Sequence, residues 1–141
     1  MKDRTLRGKV VLAGIGETTA ALAKTGARVE SVESDSRAVA EAEARGPAAR
    51  RLTGRVEDVL GRLTAPDLVV TNPPRGGMEP QVPAELERRR PERIVYISCD
   101  PATLARDLSR LTGYRIGALR AFDLFPQTAH VETVAVLERA S

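Results

Sequence analysis

Hydrophobic residues in this chain come in short blocks closed by glycine, proline or charged residues, and the spacing within each block predicts its geometry. Val10–Ala13, Leu68–Thr71 and Ile94–Ile97 are brief apolar runs of strand character, and Arg28–Glu33 (R-V-E-S-V-E) alternates as a strand does. Arg50–Thr53 is a shorter strand candidate. Helical segments fall between them: Thr18–Lys24 closed by Gly26, the Ala- and Glu-rich Ser36–Arg45 stopped by Gly46-Pro47, Val56–Leu63, and Pro83–Arg90. After Ile97 come Ser98 and Cys99. Then Asp100, an N-cap residue, and Pro101, a first-turn proline, open an amphipathic helix running to about Thr112. Tyr114–Asp123 and His130–Glu138 close the chain as two strands joined by Leu124–Ala129.

Strands alternating with helices argue an α/β fold with a mostly parallel sheet and helices on both faces. The final two strands have no helix between them, which predicts an antiparallel hairpin. A parallel sheet ending in such a hairpin is the plan of Rossmann-like methyltransferases. The 141 residues suffice for one domain, 1–141, with a real core. No internal repeat or low-complexity segment interrupts it. Met1–Thr5 and Gly76–Pro83 are the stretches expected to be disordered.

Composition removes several classes. The chain is 42% hydrophobic, yet no apolar run is long enough to span a bilayer. Met1–Gly8 is polar and basic without a hydrophobic segment, so no secretory signal is expected. One cysteine and one histidine offer no zinc or iron–sulfur ligand set, so no metal is expected. A cytoplasmic, reducing setting fits the lone thiol. The net charge is only +3, but arginines cluster at Arg50, Arg51 and Arg55 and at Arg88–Arg90. Such clusters suit phosphate contacts or a plain solvated surface. Aromatic residues at 3% are too few for a broad base-stacking platform.

Chemistry gathers at the predicted strand ends. Gly14-Ile15-Gly16 follows the first strand, where glycines let backbone approach a ligand and the next helix points its N-terminus at it. A plain tight turn is the alternative. Glu33, ending the second strand, is placed to accept hydrogen bonds from two ribose hydroxyls, with Asp35 a less favoured candidate. Asn72-Pro73-Pro74-Arg75 ends the fourth strand, and its prolines fix Asn72 beside the sheet edge. An N-P-P followed by an aromatic residue would suggest amine methylation, but Arg75 stands in the aromatic place. Cys99 lies beside a helix N-terminus, which favours a thiolate, while Asp100 works the other way. A small buried hydrophobe is the bland alternative for that cysteine. If the last strands are antiparallel, Glu132 and His130 begin the final one at the same edge. Glu132 is then a candidate general base, and His130 either orients it, contacts substrate or is structural.

These motifs together resemble the RNA (uracil-5-)methyltransferase family, which uses S-adenosylmethionine. The matching pieces are G-I-G at Gly14–Gly16, V-E at Val32-Glu33 and N-P-P-R-G at Asn72–Gly76. Two longer ones are I-V-Y-I-S-C-D-P-A-T-L-A-R-D-L at Ile94–Leu108 and F-D-L-F-P-Q-T-A-H-V-E-T-V at Phe122–Val134. The resemblance covers nearly all of this chain but only the C-terminal catalytic domain of the family. It implies Cys99 as nucleophile, Glu132 as base, and Leu12, Gly14, Gly16, Glu33 and Asn72 on the cofactor. It also implies an rRNA or tRNA uridine as target, methylated at C5 through a covalent adduct between Cys99 and C6. From charge and place, Arg75 and Arg106 are candidates for a phosphate or a uracil carbonyl.

The sequence departs from the family at three of these places. Val10 and Leu12 stand where an acid and an aromatic residue are usual, and Asn72 where an aspartate is usual. The family's N-terminal RNA-binding and central portions are expected to be absent. A cofactor- or RNA-binding module without turnover of its own is therefore the second expectation.

Overall fold

The computed structural model describes residues 9–13, 26, 28–33, 37, 40–41, 44, 49–63, 65–123 and 131–141, with backbone alone for 9–13 and 49. The described strands are β1 (Lys9–Ala13), β2 (Arg28–Glu33), β3 (Ala49–Thr53), β4 (Leu68–Thr71), β5 (Arg93–Ser98), β6 (Tyr114–Phe122) and β7 (Glu132–Arg139). They form one sheet in the order β3-β2-β1-β4-β5-β7-β6. From β3 to β5 the neighbours are parallel. Then β7 runs antiparallel to both β5 and β6.

The expected hairpin is therefore present, with one refinement. Strand β7 begins at Glu132, two residues after the predicted start, and His130 and the Leu124–Ala129 connection lie outside the described residues. So do Gly14, Gly16, Asp35, Met1–Thr5 and the predicted helix Thr18–Lys24. Of the predicted helix Ser36–Arg45, Arg37, Ala40, Glu41 and Ala44 are described; they are helical and exposed.

Three described helices share one core with the sheet. Helix α1 (Val56–Val59) continues as a 3₁₀ turn at Leu60–Arg62, where the sequence predicts one helix to Leu63. Helix α2 spans Gln81–Arg89 and α3 spans Pro101–Ser109, three residues short of its predicted end. Along β5, Ile94, Tyr96 and Ser98 are buried while Val95 and Ile97 are half-buried, the period of two that a strand with one fully covered face must show. On β7 their register partners Leu137, Ala135 and Thr133 are buried likewise. Against this face pack Val59 and Leu60, then Val82 and Leu86 of α2, then Leu104 and Leu111.

Polar contacts tie the helices down. Arg89 on α2 donates to the carbonyls of Leu63 (2.6 Å) and Gly61 (2.9 Å), which closes the 3₁₀ turn, and its Nε donates to Glu85 at 2.6 Å. Arg88 also hydrogen-bonds Glu85, so the two guanidinium groups hold that carboxyl down at about 2. Tyr114 donates its hydroxyl to the Pro91 carbonyl (2.8 Å), and burial pushes the phenol up to about 12.

Candidate active site

Parallel strands deliver their C-terminal ends to one edge of the sheet, where open α/β folds place ligands. At that edge, Ala13 of β1 is in register with Val32 of β2 and Thr71 of β4. So the backbone of Ala13 lies between β2, which ends in Glu33, and β4, which Asn72 follows. Leu12, one step earlier, pairs with Ser31 and Val70. A cleft of about 430 Å³ opens there, lined by Val32 and Glu33, by Gly54–Glu57 after β3, and by Thr71–Pro74 and Gly77–Glu79 after β4. Glu33 is half-buried in it and Asn72 exposed. The structure thus brings together two residues that lie 39 positions apart in the sequence. Cys99 is not among the cleft's lining residues.

The loop that leaves β4 is held in place, contrary to the expected disorder at Gly76–Pro83. Its turn closes with the Gly77 N–H donating to the Pro74 carbonyl at 2.8 Å. Side chains of α3 then grip it: Thr103 Oγ1 donates to the Arg75 carbonyl (3.1 Å) and Arg106 Nη2 to the Gly76 carbonyl (2.7 Å). The Met78 N–H donates to Asp107 Oδ2 at 2.8 Å, and the Met78 side chain enters the core. Gly77 has φ +83°, and a Cβ there would collide with the Arg106 guanidinium and the Asp107 carboxylate. Only glycine fits this close approach without strain. The predicted α2 also begins earlier than expected, at Gln81, with Pro83 in its first turn.

The second half of the site is the turn from β5 into α3. The Ser98 hydroxyl donates to the Asp100 carbonyl (2.8 Å) and accepts from the Asp100 N–H (3.1 Å), so Cys99 is bracketed by one side chain. Asp100 caps α3 by accepting from the Thr103 N–H at 2.9 Å, as its place before Pro101 predicts. That hydrogen bond holds the Asp100 carboxyl below its usual value, with the Arg75 charge helping. Cys99 itself is half-buried. The β5–β7 register runs to Ser98 and Thr133; Cys99 is the residue that follows β5 and Glu132 the one that opens β7, so both lie at this edge. Glu132 is half-buried and pairs on its other side with Phe122 of β6.

Two of the arginines singled out from the sequence now have places. Arg75 is exposed on the β4 loop beside Asp100. Arg106 turns its guanidinium to Gly76 and Asp107, so its first duty is to hold the loop. Asp107 and Tyr96 were not singled out, although a signal existed. Leu104, Asp107, Leu108 and Leu111 fall on one helical stripe, so an acid stands at an apolar position.

The match to protein families decides what this arrangement belongs to. Residues 9–140 match the model of the family described as tRNA (Uracil-5-)-methyltransferase. The chain belongs to the tRNA (uracil-5-)-methyltransferase family. A Gloeobacter violaceus protein called an uncharacterized RNA methyltransferase is 44% identical over 98% of this chain and 32% of its own length. One of the same description from Thermotoga maritima is 41% identical over 96% of this chain and 34% of its own. The crystal structure of Pyrococcus abyssi tRNA (uracil-54, C5)-methyltransferase with S-adenosyl-L-homocysteine superposes with a TM-score of 0.81. It is 34% identical, with 93% of this chain and 34% of that one covered. Thermus thermophilus TrmN, at 21% identity and a TM-score of 0.68 over 94% of this chain and 44% of its own, shows the fold alone. The fold is that of a Rossmann-like methyltransferase, as a parallel sheet ending in an antiparallel hairpin predicts. This family domain spans about a third of the length of the curated relatives it matches. No helix among its described residues is long and apolar enough to cross a membrane.

Proposed function

We propose that this family domain, residues 1–141, is the catalytic unit of an S-adenosylmethionine-dependent enzyme that methylates C5 of a uridine in rRNA or tRNA. The observation that carries the reading is that β5, which Cys99 follows, and β7, which Glu132 opens, are antiparallel neighbours at the sheet edge that also opens the Glu33–Asn72 cleft. The cleft fits a nucleoside sulfonium: Val32, Val56 and Met78 offer apolar contact to a base, and Glu33 is a half-buried acceptor for ribose hydroxyls. Leu12, Gly14, Gly16, Glu33 and Asn72 would hold the cofactor. When bound, it supplies an electrophilic methyl group.

The rest is work for the protein's own side chains. C5 of uracil is a weak nucleophile, so the Cys99 thiolate adds to C6 and the C5–C6 π pair moves toward O4 as an enolate. C5 is then nucleophilic and takes the methyl group. Glu132 accepts the C5 proton. The electron pair left at C5 re-forms the C5–C6 double bond as the C6–S bond breaks, which returns the thiolate. Arg75, exposed beside the Cys99 turn, is suited to an RNA phosphate or a uracil carbonyl, and His130 to substrate. The setting this chemistry implies is the cytoplasm.

Substituting fluorine for the C5 proton tests the reading, because Glu132 then has no proton to remove. RNA containing 5-fluorouridine, given with S-adenosylmethionine, is expected to stay attached to Cys99 and to be located there by peptide mass spectrometry. A protein that methylates ordinary RNA yet forms no adduct at Cys99 would overturn the mechanism. The second reading, a cofactor-binding module without turnover, is favoured by one fact: the cleft lies wholly within a chain a third as long as its relatives. S-adenosylhomocysteine binding by calorimetry, without methyl transfer by the same chain, is its expected outcome. Turnover excludes it.

A further inference from the structure

Asp107 sits in the last turn of α3 with its side chain completely buried, and four donors converge on it. Oδ2 accepts from the Tyr96 hydroxyl at 2.6 Å and from the Met78 N–H at 2.8 Å. Oδ1 accepts from Arg106 Nε at 3.2 Å and Nη2 at 2.9 Å. Arg110 adds a charge at 3.5 Å from the same oxygen. Only a carboxylate, an acceptor with two oxygens and no hydrogen, answers all four donors; an amide would turn an NH₂ against one pair of them.

The donors come from two different halves of the candidate site. Tyr96 lies on β5, three residues before Cys99. Met78 belongs to the β4 loop and lines the cleft, and Arg106 reaches the Gly76 carbonyl of that same loop. One carboxylate therefore touches the strand that delivers the nucleophile and the loop that walls the cleft. We propose that Asp107 is a positioning residue that fixes the β4 loop against the β5 strand, so that the cleft and Cys99 keep one separation. This rests on the methyl-transfer reading above, because the separation matters only if the two sites share a reaction.

The test is the Asp107→Asn chain, compared with wild type well below both unfolding midpoints. Affinity for S-adenosylhomocysteine by calorimetry is expected to fall about tenfold or more, because small displacements of binding groups have large effects. Exchange of the Met78 amide hydrogen is expected to quicken by about the same factor as the loop opens locally. The rate at which iodoacetamide alkylates Cys99 is expected to change by less than about twofold, since Ser98 and Asp100 hold that turn without the loop. A purely structural acid would lower the midpoint and leave the affinity of the folded protein unmoved. Should Asp107→Asn not fold, Tyr96→Phe and Arg106→Gln each remove part of the cluster. Both are expected to weaken binding about threefold. Unchanged affinity in these folded variants overturns the inference while the cleft reading stands. Absence of binding by wild type overturns the cleft reading, and the inference with it.

Discussion

The loop after β4 and the turn after β5 leave adjacent parallel strands at the same sheet edge, yet they are held in opposite ways. The β4 loop is gripped from outside, by Thr103, Arg106 and Asp107 on a helix about thirty residues further along the chain. The β5 turn is gripped from within, by Ser98 and Asp100 on either side of Cys99 and by Thr103 one helical turn on. The wall of a cleft can thus depend on tertiary packing while the reactive thiol depends on local sequence. Damage to α3 should reach the cleft first. Damage to the β5 turn should reach chemistry first.

The largest expected effect follows from the second half of that contrast. Cys99→Ala should lower methyl transfer by about 10⁴-fold or more, as loss of a covalent nucleophile does in other enzymes. Because Cys99 does not line the cleft, S-adenosylhomocysteine affinity should hold within about twofold. Paired turnover assays and calorimetry on one preparation check both statements. A large loss of cofactor affinity would mean that the two regions are not separable.

Asp107→Ala probes the first half through stability. It leaves the Met78 N–H and the Tyr96 hydroxyl buried without an acceptor and removes the partner of a half-exposed Arg106. The expected cost is about 3 kcal/mol in urea unfolding, set by the unpaired donors more than by the solvent-screened charge. Gly77→Ala should cost less, about 1–2 kcal/mol, from a left-handed φ combined with a crowded Cβ. Both should loosen the β4 loop in hydrogen exchange and leave the Asp100 N–H unaffected. Equal loosening of the two segments would erase the contrast.

What could be read from the sequence follows the same division. The β5 turn was legible because its parts are consecutive: an apolar run, Ser98, Cys99, an N-cap and a proline. The parallel sheet and its antiparallel end were legible because they depend on which helices separate the strands. The pinning of Gly76–Pro83 was not legible, since prolines and glycines in a row read as a free loop until α3 is folded beside them. Asp107 could have been suspected from its place on the Leu104–Leu111 stripe. Its partners could not, because Tyr96 and Met78 meet it only through the sheet. The shared edge of Cys99 and Glu132 follows from an antiparallel last pair, whereas the direct pairing of β5 with β7 needed the sheet itself.

The smallest effect is also the most local, and it concerns the cap that follows the thiol. The Thr103 N–H, helped by the Arg75 charge, holds the Asp100 carboxyl below its ordinary value in the folded chain. A carboxyl depressed on folding binds its proton more tightly in the unfolded chain. Its stabilisation is therefore complete above the unfolded value, about 4, and is lost as pH falls through the folded one. Asp100→Asn keeps an oxygen acceptor for Thr103 but does not titrate. Thermal midpoints of the two proteins should then differ by a constant amount from pH 7 to pH 5. Below pH 4 wild type should lose its advantage while the variant keeps its cap. Because Asp100 adjoins Cys99 and its cap is made to the Thr103 N–H of its own helix, the S-adenosylhomocysteine affinity of Asp100→Asn should stay at the wild-type value at pH 7. Parallel acid titrations of the two proteins would remove the local cap from the argument, because the Asp100 carboxylate would then have no measurable hold on the turn.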